Sequence, residues 1–307
     1  MPQNQFAVSL NSYTWGRFDV AQCIEMIART PLRMLELPAE QVRPNSLIPE
    51  LMISAPLGGQ WRYSVPDLRD LIAGAGLTVD SLDVFGFLGY AGAEGIIKRR
   101  IDFAEILGAS TIVLGCQHVA LHAVGTPSAV EGDEQRQSRA FIYSMLREVG
   151  DYAADHGVSL AIEIHGGITA NSAEMLRTME EVSRPNVGIN FDTANILYYN
   201  DTLDAAGALE ELKAVAAHVL HVHLKDFVRG ETREANTLPV LGRGVVDFRG
   251  VFDILHGAGF DGVYSFEVET FHGVTEGDDI TAYHQDVLDS IDYLRALGEF
   301  GPGGAAA

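Results

Sequence analysis

Four segments in the second half of the chain combine apolar residues with acids or histidines at alternate positions. They read LAIEIHGG, GINFDTAN, HVHLKDF and GFDGVYSFEVE, and they contain Glu163, Asp192, His223 and Glu267. Alternate residues of a β-strand point to the same face of its sheet. Each segment, folded as a strand, would therefore hold its polar side chains on one face. Three carboxylates and one imidazole on such faces form a ligand set that suits a hard divalent cation.

A competing interpretation is that these side chains form only a hydrogen-bonded network of ion pairs. Without a metal, three clustered carboxylates facing one histidine repel one another, and they require raised pKa values to persist. The sequence therefore favours a metal centre with Glu163, Asp192, His223 and Glu267 as its ligands. Oxygen ligands with one nitrogen suit Mn²⁺ best, with Mg²⁺ or Co²⁺ as alternatives.

The elements that must position these residues are short β-rich segments separated by amphipathic stretches. The clearest helical stretches are residues 135–156 and 281–297, where apolar residues recur at helical spacing. Alternating strands and helices indicate parallel strands joined by right-handed crossovers. The segments predicted to be strands are residues 6–13, 34–38, 77–85, 110–117, 158–165, 187–195, 219–227 and 262–270.

Both an open doubly wound sheet and a closed barrel fit this alternation. A closed barrel brings the C-terminal ends of its strands to one point, whereas an open sheet spreads them apart. Because four successive strands carry acids or histidines near their C-terminal ends, we predict a single (β/α)8 TIM barrel over residues 1–300. Residues 301–307, which read GPGGAAA, are expected to form a flexible C-terminal tail.

The composition argues against several classes of protein, including nucleic-acid-binding and disulfide-stabilised proteins. The 307 residues include 42 acidic and 21 basic side chains, which gives a formal net charge of −21. This charge argues against binding to nucleic acid or to an anionic membrane surface. The two cysteines, Cys23 and Cys116, provide no disulfide framework. No membrane-spanning apolar run and no signal-peptide pattern is evident, so a cytoplasmic protein is expected.

The motifs resemble the xylose-isomerase-like TIM-barrel superfamily of sugar phosphate isomerases and epimerases. The pieces that carry the resemblance are LAIEIHGG, GINFDTAN, HVHLKDF, LPVLGRGVVDF and GFDGVYSFEVE, and the order of strand motifs fits over residues 6–297. The resemblance implies that Glu163 and Glu267 bind the metal and also act as a catalytic acid–base pair on opposite faces of the substrate carbon. It implies a metal-dependent isomerase or epimerase that abstracts a proton next to a carbonyl and forms an enediolate.

Several further residues are candidate contacts for a small sugar or sugar-derived ketone. Asn195 occupies the place where the epimerases of the family carry a histidine, and Arg229 matches a substrate-binding arginine of some members. His165 is predicted to point inward beside the ligands. His118 follows the fourth predicted strand, and Trp15 follows the first, where an indole can stack on a sugar.

Alternative functions share the same site design, because an enediolate can also expel a leaving group. A lyase or dehydratase is the first alternative, either an inosose dehydratase or a C-glycoside deglycosidase that acts on 3-oxo-glycosides with a small partner subunit. The second alternative is a non-catalytic sugar-binding barrel. Members of the family often form homo-oligomers, and the same is expected here.

Overall fold

The computed structural model describes residues 4–14, 18–39, 50–54, 60–86, 92–116, 133–270 and 279–300. Its strands are β1 (Gln5–Ser9), β2 (Met34–Pro38), β3 (Glu50–Ser54), β4 (Gln60–Ser64), β5 (Thr78–Gly86), β6 (Thr111–Cys116), β7 (Ser159–Glu163), β8 (Val187–Asp192), β9 (Val219–Leu224) and β10 (Val263–Phe266). Its α-helices are α1 (Asn11–Thr14), α2 (Val20–Ala28), α3 (Val65–Gly74), α4 (Ala93–Leu107), α5 (Asp133–Asp155), α6 (Ser172–Val182), α7 (Asn195–Tyr198), α8 (Ala205–Val215), α9 (Phe248–Ala258) and α10 (Ile280–Leu297). Short 3₁₀ turns cover Gly167–Thr169, Ala216–His218 and Arg233–Ala235.

Eight parallel strands close into a barrel. The strand order around the barrel is β1, β2, β5, β6, β7, β8, β9 and β10, and β10 pairs with β1 to complete the ring. Helices connect successive barrel strands, and all six residues of β8 are buried, as parallel strands covered on both faces require. The predicted (β/α)8 barrel is therefore confirmed. The tail at residues 301–307 lies outside the described residues.

The structure differs from the sequence-based expectation at the ends of the strands. The segments predicted to end at residues 165, 195, 227 and 270 end as strands at Glu163, Asp192, Leu224 and Phe266. Beyond these points the chain leaves the barrel and forms the rim, where side chains of the loops face the mouth. The antiparallel pair of β3 and β4, which pairs Glu50 with Ser64, was not predicted.

An aromatic cluster packs where the last barrel strand meets the first. The Phe6 ring of β1 contacts Tyr264 and Phe266 of β10, at centroid distances of 5.7 Å for both. The ring centroid of Phe252 in α9 lies 6.3 Å from that of Phe6, and the Phe300 ring stacks on Phe6 at a centroid distance of 4.6 Å. Burial of these large rings stabilises the closure of the barrel. Among the described residues, no helix has the length and apolarity that crossing a membrane requires.

Gly188 lets β8 approach β9 closely at the N-terminal end of the barrel, away from the mouth. A Cβ atom at this position would lie 2.5 Å from Leu220 Cγ and 2.6 Å from the His218 carbonyl oxygen. We expect Gly188→Ala to lower the free energy of unfolding by about 1–3 kcal/mol, because the backbone must shift to relieve the overlap. Chemical denaturation measures this change.

Gly257, inside α9, is the matched control. A Cβ atom there meets nothing within 4 Å, so Gly257→Ala should raise the free energy of unfolding by about 0.5–1 kcal/mol through helix propensity. Equal stabilities of the two variants would contradict the close packing of β8 on β9.

Candidate metal centre

The structure brings the four predicted metal ligands together at the C-terminal mouth of the barrel. Glu163 ends β7, Asp192 ends β8, His223 lies in β9, and Glu267 follows β10. Each contributes one oxygen or nitrogen atom to a group whose members all lie within 4.8 Å of one another. All four side chains are buried, with Asp192 and His223 fully inaccessible to solvent.

The Nδ1 atom of His223 is the centre of this group. It lies 3.2 Å from Glu163 Oε1 and 2.8 Å from Glu267 Oε2. Asp192 Oδ2 is 3.9 Å from the same nitrogen. Three carboxylate oxygens and one imidazole nitrogen, supplied by four neighbouring strands, therefore surround one point.

The second polar atom of each ligand is held by the protein. Glu163 Oε2 lies 2.9 Å from His165 Nδ1. Asp192 Oδ1 accepts hydrogen bonds from the backbone amides of Ala194 and Asn195, both at 2.8 Å, where the chain turns into α7. One oxygen of each carboxylate is thus fixed, which directs the other oxygen toward the shared point.

The same arrangement applies to the other two ligands. His223 Nε2 lies 3.1 Å from Glu36 Oε2, which accepts its proton and leaves Nδ1 to face the cluster. Asn11 Nδ2 donates to Glu267 Oε1 at 2.9 Å, which leaves Oε2 in the cluster. The buried oxygens Asp192 Oδ2 and Glu267 Oε2 are thereby turned toward the shared point. This donor set fits a divalent cation.

Lys225 brings a positive charge to the cluster. Its Nζ atom lies 3.2 Å from Asp192 Oδ2, 2.8 Å from Glu267 Oε2 and 2.9 Å from Glu269 Oε2. Lys225 is itself buried, and it stands two residues after His223 on the same inward face. The carboxylates are therefore partly neutralised by a cation that belongs to the chain.

These charges determine the ionisation of the cluster. Burial alone would raise the pKa of Glu163, but the neighbouring rings of His165 and His223 lower it to about 2. Burial also opposes ionisation of Glu267, yet Lys225 and His223 hold its pKa well below the usual value. The raised pKa values expected for an unmetallated cluster are thus absent from these two glutamates, because adjacent cationic groups compensate.

The pKa values of Asp192 and His223 are raised instead. Burial raises the pKa of Asp192; Lys225 opposes this shift, and the negative charges of Glu163 and Glu267 reinforce it. Burial disfavours the charged form of His223, but Glu36 and Glu267 raise the pKa of its ring well above the usual value. The imidazole therefore acts as a counter-ion for the carboxylates around it.

Sequence reasoning missed Glu36, which lies in a layer of polar residues beneath the cluster. Glu36 of β2 is fully buried and accepts hydrogen bonds from Ser81 at 2.9 Å and from Ser265 at 3.3 Å. His221 lies 3.0 Å from Asn190 through its Nδ1 atom. An acid between apolar residues in the predicted strand MLELP was the available signal, but one isolated acid gives no indication of its partner.

Of the other predicted contacts, Asn195 lies at the cluster and Arg229 does not. Asn195 Nδ2 is 3.5 Å from Glu163 Oε1. Arg229 donates to the carbonyl oxygens of Leu197 at 3.0 Å and Leu203 at 3.1 Å, which fixes the segment after α7. The predicted contacts Trp15 and His118 lie outside the described residues.

Asp226 anchors a rim loop immediately after Lys225. Its buried carboxylate accepts backbone hydrogen bonds from Phe227 at 2.8 Å, Gly242 at 2.9 Å, Gly244 at 2.7 Å and Val246 at 3.1 Å. A Cβ atom at position 244 would lie 2.2 Å from Asp226 Oδ1, so glycine permits this approach. The GRG sequence at 242–244 is therefore a turn held by a carboxylate.

We expect Asp226→Asn to lower the free energy of unfolding by about 1–3 kcal/mol, because an amide group turns a donor toward backbone donors. Hydrogen exchange at the amides of Gly242, Gly244 and Val246 should accelerate together. Asp204→Asn is the control, since Asp204 caps α8 through Gly207 at 2.8 Å and has no contact with this loop. Unchanged exchange at the three amides in Asp226→Asn would contradict the anchor.

Comparisons with known proteins agree with the fold. A family model described as the xylose isomerase-like TIM barrel matches residues 24–297. The IolI protein, solved with a bound zinc atom, superposes with a TM-score of 0.69 over 97% of this chain and 99% of that one. At 14% sequence identity this likeness concerns the fold alone.

Two curated relatives differ in the reaction that their names specify. Inosose dehydratase of Geobacillus thermodenitrificans (strain NG80-2) is 26% identical over 239 residues, which cover 71% of this chain and 78% of that protein. Ketose 3-epimerase of Arthrobacter globiformis is 28% identical over 178 residues, or 57% of this chain and 54% of that protein. The chain thus spans about half the length of this epimerase. Since the family model extends from α2 to the end of α10, the chain belongs to the xylose isomerase-like TIM barrel family.

Proposed function

We propose that this protein is a divalent-metal-dependent enzyme that removes the proton next to the carbonyl of a sugar or a related polyol ketone. Return of the proton on the other face, or at the neighbouring carbon, makes it an epimerase or isomerase. The observation that carries the proposal is the convergence of Glu163 Oε1, Asp192 Oδ2, His223 Nδ1 and Glu267 Oε2. Relatives named as ketose 3-epimerase and inosose dehydratase support it.

The metal would be held by Glu163, Asp192, His223 and Glu267. We propose Mn²⁺ as the bound ion, with Mg²⁺ and Co²⁺ as alternatives. Zn²⁺ is a further alternative, because the IolI structure contains a zinc atom. When bound, the ion acts as a Lewis acid that stabilises negative charge on the substrate oxygens. The anchored second atoms of the ligands keep the donor atoms in place before any ion or substrate arrives.

Glu163 and Glu267 are the proposed acid–base pair. They enter the mouth from strands three positions apart in the ring, and different groups hold them. Glu163 contacts His165 and Asn195, whereas Glu267 contacts Asn11 and Lys225. Two carboxylates on different sides of one carbon can remove a proton from one face and return one to the other.

His165 and Asn195 are the proposed substrate contacts within the described residues. Both lie beside Glu163, at 2.9 Å and 3.5 Å respectively. Asn195 can donate to or accept from a hydroxyl group but cannot ionise near neutral pH. Arg229 has a positioning role in this proposal, since its guanidinium is occupied by backbone carbonyl groups.

A lyase or dehydratase is the second candidate function. The inosose dehydratase relative covers 71% of the chain, and Asn195 stands where the epimerases of the family have a histidine. Loss of a β-substituent from the same enediolate would give elimination. A product that lacks the leaving group would identify this reaction, whereas a stereoisomer would identify an epimerase.

The first test is removal of the metal. Proton exchange is followed by NMR in D₂O with ketohexoses, ketopentoses, inosose and 3-oxo-glycosides as substrates. We expect chelation to abolish incorporation of deuterium next to the carbonyl, and Mn²⁺ to restore it, because the enediolate loses its Lewis acid. Parallel additions of Mg²⁺, Co²⁺ and Zn²⁺ rank the ions. Undiminished exchange in metal-free protein would contradict a metal-dependent reaction.

The second test is Glu267→Gln. We expect the rate of deuterium incorporation to fall by about 100- to 10,000-fold, since an amide cannot accept the proton. Circular dichroism and metal content check that the fold and the site persist. Glu210→Gln on α8, where the side chain is 76% exposed, is the control. Full exchange by Glu267→Gln would refute the acid–base role, and tight sugar binding without exchange by the native protein would favour a non-catalytic barrel.

A further inference from the structure

Asp83 is a buried acid at the mouth of the barrel that the proposed acid–base pair does not use. It lies in β5 and is 3% exposed. Its Oδ2 atom accepts a hydrogen bond from Asn11 Nδ2 at 3.0 Å. Its Oδ1 atom is buried and has no hydrogen-bond partner in the described part of the chain. Leaving such an oxygen unpaired costs free energy, so it calls for an explanation.

The position of Asp83 relates it to the proposed reaction. β5 is four strands from β9 around the ring, so Asp83 faces the His223 cluster from the opposite wall. Ser81, two residues earlier on the same face, contacts Glu36 and His221 in the layer below. The Asn11 nitrogen that binds Asp83 Oδ2 also donates to Glu267 Oε1 at 2.9 Å. One amide group thus sets Asp83 and Glu267 side by side at the mouth.

The surroundings of Asp83 favour a protonated carboxyl group. Burial raises its pKa well above the usual value, the charges of Glu163, Glu36 and Glu267 add to this, and His223 opposes it. Asn11 is a donor to Oδ2, so the acid proton belongs on Oδ1. A neutral acid close to several carboxylates resembles a general acid more than a ligand.

We propose that Asp83 is a catalytic acid that protonates a departing hydroxyl group, so that this site eliminates water from a polyol ketone. The proposal rests on the enolisation proposed above. It adds a third carboxyl group to the paired glutamates, and an epimerisation requires only two. The substrate class is a cyclic polyol ketone with a hydroxyl group on the β-carbon, such as inosose.

The step balances without an added reactant. One glutamate takes the α-proton, and the electrons of the C–H bond form the enediolate. As the carbonyl re-forms, a double bond develops between the α- and β-carbons and the bond from the β-carbon to oxygen breaks. The departing oxygen takes the Oδ1 proton and leaves as water. Asp83 becomes a carboxylate, the glutamate holds the α-proton, and exchange with solvent restores both groups.

Asp83→Asn in the Mn²⁺-loaded protein tests this assignment with inosose in D₂O. The amide has the same shape and retains an acceptor for Asn11, but it is not an acid. We expect α-deuterium incorporation within about threefold of the native rate, and water loss reduced by about 100- to 10,000-fold. Asp70→Asn, a surface site on α3 with a 70% exposed side chain, should leave both rates unchanged.

An analogue of inosose with fluorine on the β-carbon separates acid catalysis from binding. Fluoride leaves without a proton, so Asp83→Asn should release fluoride within about tenfold of the native rate. Slow release of fluoride, or a parallel loss of exchange and elimination, would show that Asp83 binds substrate and would overturn the assignment. If the native protein exchanges the α-proton but never eliminates water, this proposal fails while the proposed function stands. If it shows no exchange, the proposed function fails first.

Discussion

The cost of burying like charges shapes the whole mouth of this barrel. Among the described residues, at least five carboxyl groups lie buried near one another there, and isolated buried carboxylates are expensive in free energy. The chain meets this cost with His223 inside the cluster and Lys225 beside it. A divalent ion would complete the compensation. These five acids are Glu36, Asp83, Glu163, Asp192 and Glu267.

The groups that offset the buried charges also orient the ligand side chains. Each ligand has one polar atom held by a neighbouring group, which turns its other polar atom toward the common point. Asp192 is fixed by backbone amides, His223 by Glu36, and Glu267 by Asn11. Such orientation of ligands before binding reduces the reorganisation that metal binding and catalysis require.

The sequence was sufficient to predict the barrel and the four clustered residues. Alternation along each strand assigns Glu163, Asp192 and His223 to inward faces, and closure of the ring brings the faces together. The predicted roles of these residues stay predictions until they are tested. Alternation could not reveal Asn11, because its contacts with Asp83 and Glu267 span 72 and 256 residues of chain. Contacts of that range depend on the closed ring and on side-chain conformations, neither of which local spacing encodes.

The segment from His221 to Arg229 concentrates several tasks in nine consecutive residues. His221 lies in the supporting layer, His223 is a predicted ligand, and Lys225 is the cation beside it. Asp226 and Arg229 then anchor the rim segments. Loss or gain of one residue within β9 would turn His223 and Lys225 toward the helices and Val222 and Leu224 toward the mouth. In evolutionary terms, this strand can vary by substitution but not in length, whereas the loops around it can grow or shrink. New specificities in this barrel are therefore expected to arise from insertions in the loops, with β9 as the fixed reference.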